Sequence, residues 1–200
     1  CLRYFKDKIP VLFRGDSTLL DEQKGVKKIV RRILLTWVYK HIDYALYVGT
    51  QNKNYFLKHK VRKDQLVFVP HAVDNKRFFQ TAAKEEDKKA GIRSSLKIKE
   101  DDLILLYAGK LEPKKNAGIL IKAFQLLDND NIHLVIVGNG ILENELKQSA
   151  SKTINIHFFP FQNQSKLPAF YQLCDVFILP SKGPGESWGL AVNEAMACGR

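Results

Sequence analysis

A regular alternation of apolar runs and amphipathic segments after residue 100 limits the folds open to this chain. The runs with the length and composition of buried strands are 103–107, 132–137, 154–159 and 175–179. The segments that repeat apolar residues at helical spacing are 117–127, 142–150, 167–173 and 192–197. Strands that alternate with helices predict an α/β fold with a parallel sheet covered on both faces.

The same alternation is looser before residue 80. Strands are predicted at 11–13, 44–48 and 66–69, and helices at 25–39, with a basic outer face, and at 53–59. Residues 81–99 are rich in Lys, Glu and Asp and have little apolar content, which is typical of a linker with a short charged helix. The sequence therefore predicts a first domain over 1–80, a linker region over 81–99 and a second domain over 100–200.

The positive charge is concentrated in the first predicted domain. The 200 residues carry 32 Lys and Arg against 21 Asp and Glu, a net charge of +11. Residues 1–77 hold 17 basic and 7 acidic side chains, a net charge of +10, and the remainder holds 15 and 14, a net charge of +1. Such a basic segment suits an anionic membrane surface, a phosphorylated acceptor or nucleic acid, or it is a solvated face that aids solubility.

Two other features narrow the class of protein. The cysteines, Cys1, Cys174 and Cys198, have neither metal-ligand nor redox spacing, so we expect a reducing cytosol and buried, unpaired thiols at the last two. No apolar run approaches the roughly 20 residues that cross a bilayer. Asp128-Asn-Asp130 lies between a predicted helix and a predicted strand, so we interpret it as a polar turn and not as a metal site.

Two glutamates near the end of the chain are candidate ligand-binding residues. Glu186 lies in a loop that enters a helix, and Glu194 lies about two turns further along that helix. Backbone N–H groups at a helix start bind anions, and carboxylates accept hydrogen bonds from hydroxyl groups. Together these groups suit a sugar nucleotide. Lys110 and Lys115 follow another strand end, where ligands of parallel sheets bind and where fixed cations stabilise a leaving diphosphate.

Three segments carry a resemblance to a known family. They are the E-x7-E stretch from Glu186 to Glu194, Tyr107-Ala-Gly-Lys-Leu-Glu-Pro-Lys-Lys-Asn116, and Val67-Phe-Val-Pro-His-Ala-Val-Asp-Asn-Lys-Arg-Phe78. In this order they resemble the retaining glycosyltransferases of family 4, which have the GT-B fold of two Rossmann-like, doubly wound parallel-sheet domains. Lys110 stands where that family usually has arginine, and His71 where it usually has asparagine.

The resemblance implies a role for each matching residue. Lys110, Lys115 and Glu186 would be catalytic, the lysines at the diphosphate and Glu186 at the transferred sugar. Glu194 would accept the ribose hydroxyls. The other implied donor-binding positions are Gly109, Gly138, Phe161, Ser187, Trp188 and Gly189. No metal or other cofactor is implied. His71 is a weaker candidate for a role near the interdomain cleft, since a hydrogen-bonded loop residue explains it as well. The segment from Arg14 to Ser17 is a weaker candidate for lining the acceptor side, since a turn with a helix cap explains it as well.

The resemblance also implies an activity and a place in the cell. Residues 1–80 would be the end of an acceptor-side domain, and 100–200 most of a donor-binding domain, so we expect an internal piece of a longer protein that is inactive alone. The enzyme would transfer a sugar from a nucleoside-diphosphate sugar to a glycan or lipid-linked acceptor in cell-surface polysaccharide biosynthesis. We expect it in the cytoplasm, peripheral at the inner membrane face through basic residues 1–77.

Three alternatives remain open on the sequence. A sugar-nucleotide epimerase and a phosphorylase share the same fold. A basic nucleic-acid-binding module is disfavoured, because the basic residues are scattered and no helix-turn-helix, zinc or RNA-binding signature is present. We therefore expect no nucleic-acid partner. The sequence identifies neither the base and sugar of the donor nor the acceptor.

Overall fold

The protein divides into two compact units, Cys1–His71 and Ala72–Arg200. The computed structural model describes residues 2–5, 8–20, 22, 25–82, 86–183, 186 and 188–200. Within them, no helix is long and apolar enough to cross a membrane.

The first unit contains a parallel sheet that has three strands among the described residues, in the order β1-β2-β3. Its elements are α1 (Leu2–Phe5), β1 (Leu12–Arg14), α2 (Val26–Tyr39), β2 (Tyr44–Tyr47), α3 (Thr50–Lys58), a 3-10 turn at Lys63–Gln65, and β3 (Leu66–Phe68). Tyr39, Tyr55 and Phe56 form the aromatic part of its core, with ring pairs packed edge to face. These aromatics fix α2 and α3 against the sheet.

One prediction for the first unit is confirmed only in part. The sequence predicted a basic outer face for the helix at 25–39, and Lys27 and Arg31 are exposed, but the exposed side of α2 also carries large apolar side chains such as Ile33 and Trp37. The basic residues Lys28 and Arg32 instead turn toward Glu22, with which both form ion pairs.

The second unit contains a parallel sheet with the strand order β6-β5-β4-β7 in the part of the chain described. Its elements are α4 (Asn75–Ala82), α5 (Glu86–Ser95), β4 (Leu103–Ala108), a 3-10 turn at Pro113–Lys115, α6 (Ala117–Gln125), β5 (Ile132–Val137), α7 (Glu143–Ala150), β6 (Ile156–Phe159), α8 (Leu167–Leu173), β7 (Val176–Phe177) and α9 (Leu190–Ala197).

The second sheet is buried on both faces. Successive side chains of β5 alternate between two cores: Leu134 and Ile136 pack into one, and Val135 and Val137 into the other. This alternation follows from the two-residue period of a strand, and burial on both sides is typical of a parallel sheet with helices above and below. The prediction of an α/β fold with a doubly wound parallel sheet is therefore confirmed here.

The strand order reverses direction next to β4. The chain moves outward from β4 to β5 and β6, and then returns through α8 to place β7 on the other side of β4. Ligands of open α/β sheets bind beyond the carboxyl ends of the strands at such a reversal. The loops that follow β4 and β7 are consequently the first place to look for a functional site.

The unit boundary falls before the predicted domain boundary. The residues of helix α4 span the end of the predicted first domain and the start of the linker region, but Phe78 and Ala82 are buried in a core of the second unit. Helix α5 occupies part of the predicted linker, and its Ile92 packs against the same core. The assignment of the units to acceptor and donor sides stays a prediction.

Candidate functional site

Lys115 and Glu186 meet at the strand-order reversal of the second unit. The Lys115 ammonium forms an ion pair with the Glu186 carboxylate, and the two side chains are only 20% and 21% exposed. Lys115 follows β4 and Glu186 follows β7, and these two strands are adjacent and parallel. The structure therefore joins two sequence-predicted residues in a partly dehydrated pair, where an electrostatic contact is stronger than at the open surface.

Hydrogen bonds orient the Glu186 carboxylate. The hydroxyl of Ser181 donates to its Oε2 at 2.8 Å, and the backbone N–H of Gly189 donates to its Oε1 at 3.2 Å. Burial by itself would raise the pKa of Glu186, but the hydrogen bonds from Lys115 and Ser181, the Lys115 charge and the Gly189 N–H outweigh it and lower that pKa. Glu186 is thus held as an anion.

The two loops that carry the pair are tied together. The backbone N–H of Lys182 donates to the carbonyl oxygen of Lys114 at 2.8 Å, and the side-chain amide of Asn116 donates to the carbonyl oxygen of Pro180 at 3.2 Å. Asn116 has a φ of 57°, a left-handed conformation that asparagine tolerates well. These ties position Lys115, the last residue of the 3-10 turn that precedes α6.

Lys110 is more open than Lys115. Its side chain is 73% exposed, and its ammonium lies 3.8 Å from the carboxylate of Glu112. The backbone at Lys110 is fixed, because the phenol of Tyr107 donates to its carbonyl oxygen at 2.8 Å. Burial, with the charges of Glu186 and Glu112, raises the pKa of Tyr107, so the phenol keeps its proton and remains a donor. No described contact joins Lys110 to the Lys115–Glu186 pair.

Glu194 is a buried carboxylate that accepts two described side-chain hydrogen bonds. It lies on α9 and is 8% exposed. The Tyr171 phenol donates to Oε2 at 3.0 Å, and the Gln164 amide donates to Oε1 at 3.1 Å. Burial and the Glu194 charge raise the pKa of Tyr171, which therefore stays protonated. A carboxylate has about four acceptor positions, of which these two side chains use two.

The predicted donor-binding residues Gly109 and Gly138 lie where two backbone segments approach closely. Gly138 follows β5 with a φ of 148°, and a Cβ placed there would lie 1.9 Å from the carbonyl oxygen of Gly109. Gly140 is similar, because its Cβ would lie 2.3 Å from the carbonyl oxygen of Leu111. The turn after β5 thus packs directly on the loop after β4, and there is no room for a side chain at Gly138 or Gly140.

The remaining predicted donor-binding residues are spread along the same sheet edge. Phe161, beyond β6, is 71% exposed, and its backbone N–H donates to the side chain of Asn139. Trp188 is half-buried, with its indole N–H 3.0 Å from the side-chain oxygen of Asn193. Gly189, with a φ of 77°, precedes the first residue of α9. Ser187 lies outside the described residues.

The weaker candidates have these positions. In the first unit, the guanidinium of Arg14 lies 3.4 Å from the carbonyl oxygen of Pro70 and 3.5 Å from Nδ1 of His71, so the structure brings Arg14 and His71 together. In the second unit, Asp128 has a φ of 43° in the turn between α6 and β5, as predicted. No group of three or more His, Cys, Asp or Glu side chains able to hold a metal occurs among the described residues.

The cysteine predictions can be checked at two positions. Cys174 and Cys198 are free and buried in a core of the second unit. Burial raises the pKa of Cys174 to about 12 and that of Cys198 to about 11, so both stay as thiols. They are packing residues, and Cys1 lies outside the described residues.

Sequence reasoning missed the residues that support the two glutamates. Ser181 lies five positions before Glu186 in a Pro-Ser-Lys-Gly stretch, which signals only a loop. Tyr171 and Gln164 reach Glu194 from α8 and the segment before it. Nothing in a local pattern predicts such contacts, because they depend on how α8 packs beside α9.

Comparison with known proteins identifies the family to which this sequence is similar. A sequence profile of the family described as "Glycosyl transferases group 1" matches residues 88–200. A D-inositol 3-phosphate glycosyltransferase of Streptomyces bingchenggensis is 32% identical over 157 residues, which are 72% of this chain and 33% of that protein. An alpha-monoglucosyldiacylglycerol synthase of Streptococcus pneumoniae is 28% identical over 200 residues, which are 98% of this chain and 43% of that protein.

Solved structures share the fold. Anabaena Alr3699/HepE, crystallised with UDP, superimposes with a TM-score of 0.74 at 18% identity, over 96% of this chain and 52% of that one. WaaG, a glycosyltransferase of lipopolysaccharide biosynthesis, gives 0.68 at 18% identity, over 96% of this chain and 56% of that one. The predicted α/β fold of the GT-B type is thereby confirmed. The chain spans about half the length of these solved structures.

Proposed function

Because this chain belongs to the family of glycosyl transferases group 1, we propose that the protein moves a sugar from a nucleoside-diphosphate sugar to a glycan or lipid-linked acceptor. Retention of the anomeric configuration is the finer part of the proposal and rests on the resemblance to family 4. The observation that carries the donor class is the Lys115–Glu186 pair at the strand-order reversal of the second unit.

Lys115 is proposed to stabilise the leaving diphosphate. In the transfer, the bond between the anomeric carbon and the β-phosphate oxygen breaks while an acceptor hydroxyl oxygen bonds to that carbon. The hydroxyl proton passes to the departing diphosphate, which also takes the bonding electrons. Charge therefore grows on the diphosphate in the transition state, and a cation fixed beside it lowers the barrier. An ammonium has three donors, so Lys115 can hold a phosphate oxygen while it still contacts Glu186.

The two glutamates are proposed to hold opposite parts of the donor. Glu186 has an oriented carboxylate next to Lys115, which suits hydroxyl groups of the transferred sugar. Glu194 is buried further along α9, and its free acceptor positions suit the ribose hydroxyls. Gly189, Ser187 and Trp188 are proposed to present backbone to the diphosphate near the start of α9.

Lys110 and three surrounding positions complete the proposed donor site. The Lys110 side chain is 73% exposed, and its ion pair with Glu112 is long, at 3.8 Å. Lys110 is therefore proposed to turn toward a bound phosphate. Gly109 and Gly138, whose backbones pack against each other, are proposed to line the donor site without side chains. Phe161 is proposed to contact the base from beyond β6.

We further propose that the reaction needs no metal, because lysine ammonium groups supply the positive charge at the diphosphate. The test is turnover by the intact protein before and after treatment with EDTA. Equal rates support the proposal. A loss that added Mg²⁺ or Mn²⁺ restores would show that a divalent cation takes part.

The acceptor and the cellular location are proposed from the relatives and from charge. One relative is named for a glucosyldiacylglycerol, and a Salmonella typhimurium relative is a lipopolysaccharide 1,2-N-acetylglucosaminetransferase. The net charge of +10 in residues 1–77 suits an anionic membrane surface. We propose that the protein works at the cytoplasmic face of a membrane in the synthesis of cell-surface glycans.

The deciding experiment is a thermal-shift titration of the intact protein with UDP, GDP and ADP. We expect one nucleotide to raise the melting temperature, and we expect Lys115→Ala and Glu194→Ala to abolish that rise. Lys114→Ala is the matched control, since this neighbouring lysine pairs with Glu112 and not with Glu186. No rise with any nucleotide, or an undiminished rise in both variants, would overturn the donor site.

Product analysis separates transfer from the other activities of the same fold. A transferase forms a glycoside only when acceptor is present, whereas an epimerase converts the sugar nucleotide without one. A phosphorylase instead forms a sugar phosphate from inorganic phosphate. Nuclear magnetic resonance of the new glycosidic bond then decides retention, because the anomeric configuration of product and donor are compared directly.

A further inference from the structure

Helix α2 exposes a continuous apolar stripe. Six large apolar side chains follow the spacing i, i+3, i+4, i+7, i+8 and i+11, which places them on one helix face. Each is between 52% and 75% exposed. The six are Val26, Ile29, Val30, Ile33, Leu34 and Trp37. A stripe of this size, exposed in the described part of the chain and outside the core cluster, marks an interaction surface.

Positive charge borders the stripe. The 14 residues of α2 include four basic side chains and no acidic one. Lys27 and Arg31 lie one helical turn apart beside the stripe, and both are exposed. Lys28 and Arg32 face the unit instead, where their contacts to Glu22 are 2.7 Å and 3.2 Å long. Lys40, exposed just after the helix, adds a further cation near Trp37.

We propose that α2 lies flat in the surface of an anionic lipid membrane. The apolar stripe would enter the boundary between headgroups and acyl chains, while Lys27, Arg31 and Lys40 would reach lipid phosphates along their flexible stems. The helix is about 21 Å long, too short for a hydrocarbon core of about 30 Å. Trp37 suits the membrane–water interface. This inference rests on the membrane location proposed above, for which it names the contact surface, and it is independent of the donor site.

Charge decides between lipid and a second copy of the chain. Two α2 stripes placed face to face would bring two sets of lysine and arginine side chains together, and like charges at that distance repel. An anionic membrane satisfies both parts of the surface, because it offers apolar depth and negative headgroups together. The net charge of +10 over residues 1–77 extends the same attraction beyond α2.

The stripe is not needed to fold the unit. The opposite side of α2 holds the helix in place: Tyr39 is buried, and Leu35 and Val38 pack on the same core. Substitutions on the stripe therefore test binding without removing core contacts. Exposed apolar residues of the second unit provide a matched control, since Leu126 and Ile154 are each 85% exposed.

The test is flotation of the intact protein with vesicles of phosphatidylcholine alone or mixed with phosphatidylglycerol. We expect binding to the mixed vesicles only, and binding that weakens as salt is raised. Ile33→Gln with Trp37→Gln should lower the partition coefficient by about tenfold or more. Lys27→Gln with Arg31→Gln should lower it and flatten the salt dependence. Leu126→Gln with Ile154→Gln should leave it unchanged.

Three results would overturn the proposal. They are no binding to the mixed vesicles, equal binding by the Ile33 and Trp37 variant, and self-association in analytical ultracentrifugation that this variant abolishes. The last would identify the stripe as a contact between protein copies. Nucleotide-induced thermal shifts, measured on the same variants, keep the two proposals apart. If no protein shows a shift while vesicle binding is intact, only the donor-site proposal is contradicted.

Discussion

The Lys115 ammonium contacts the Glu186 carboxylate although 71 positions separate them in the sequence. Each residue follows one of two adjacent parallel strands, β4 and β7, which come together only because the strand order reverses beside β4. The pair therefore marks the crevice where a parallel sheet binds its ligand. Under the proposed function, a bound diphosphate would share Lys115 with the Glu186 carboxylate that it already contacts.

Replacing Lys115 by alanine should reduce kcat by about a hundredfold or more, because it removes a cation from beside the developing diphosphate charge. The variant leaves Glu186 with its Ser181 and Gly189 hydrogen bonds, so we expect only a small change in melting temperature. Steady-state kinetics of the intact protein, beside Lys114→Ala, measures the effect. Equal losses in the two variants would show that general surface charge, and not Lys115, matters.

Replacing Glu186 by glutamine should separate nucleotide binding from turnover. Without the negative charge, Lys115 is fully available to a diphosphate, so the free nucleotide should bind about threefold tighter or more. The sugar loses a charged hydrogen-bond acceptor, so kcat should fall. Isothermal titration with the nucleotide and assays with the sugar donor give both numbers. Weaker nucleotide binding would contradict the shared-lysine interpretation.

Replacing Tyr171 by phenylalanine should weaken nucleotide binding, although the Tyr171 hydroxyl contacts Glu194 and is not proposed to contact the ligand. The change leaves the Glu194 carboxylate with the Gln164 amide as its described side-chain donor, so its orientation is less fixed. We also expect the free energy of unfolding to fall by about 1–3 kcal/mol, since the lost hydrogen bond is buried and charged. Tyr44→Phe, at an exposed position, is the control. Unaltered affinity in the Tyr171 variant would refute this positioning role.

The second sheet could be predicted closely because its signal is local. The apolar run at 132–137 has the bounds of β5, and 167–173 those of α8. Helix α4 was not predicted, because it follows a loop-like Pro-His-Ala-Val-Asp motif and buries only Phe78 and Ala82. Its place in the second unit is decided by tertiary packing, which local periodicity does not contain.

The candidate site could be predicted in its residues but not in its connections. Spacing and residue type identified Lys115 and Glu186, which follow strands, and Glu194, which lies on a helix. The direct ion pair and the Tyr171 contact depend on which strands become neighbours. The apolar stripe of α2 was similarly present in the sequence, but its exposure beside Lys27 and Arg31 was not predicted, since periodicity alone does not say which face is buried.

Replacing Gly138 by alanine should destabilise the protein by about 2–4 kcal/mol, through a backbone clash and an unfavourable φ. The added Cβ would lie 1.9 Å from the Gly109 carbonyl oxygen, so the two loops at the sheet edge must separate. Gly91→Ala is the opposite control: it lies within α5 with open space around it, and should stabilise by up to about 1 kcal/mol. Denaturant unfolding measures both. Similar melting of the two variants would show that the loops yield easily.

Acid should destabilise the second unit before its carboxylates titrate. His157 lies within hydrogen-bonding distance of His133, 3.0 Å between ring nitrogens, and His133 lies 3.3 Å from Asp102. Burial, and then the charge of His133, lowers the pKa of His157 from 6.5 to about 4. Between these values the unfolded chain binds a proton that the folded chain does not. The contribution to stability is therefore complete above about pH 6.5 and is lost as the pH falls toward about 4.

The expected loss across that range is about 1–3 kcal/mol, allowing for the partial exposure of the ring. Carboxylates with lowered pKa, such as Glu186, lose their contributions only below about pH 4.5, so the interval above that value isolates His157. Unfolding free energies of the intact protein and of His157→Gln, measured from pH 7 to pH 4.5, give the slope. The variant should show a shallower slope, and His41→Gln, in the first unit, should keep the original one. Parallel slopes in the unmodified protein and the His157 variant would assign the acid sensitivity to other groups.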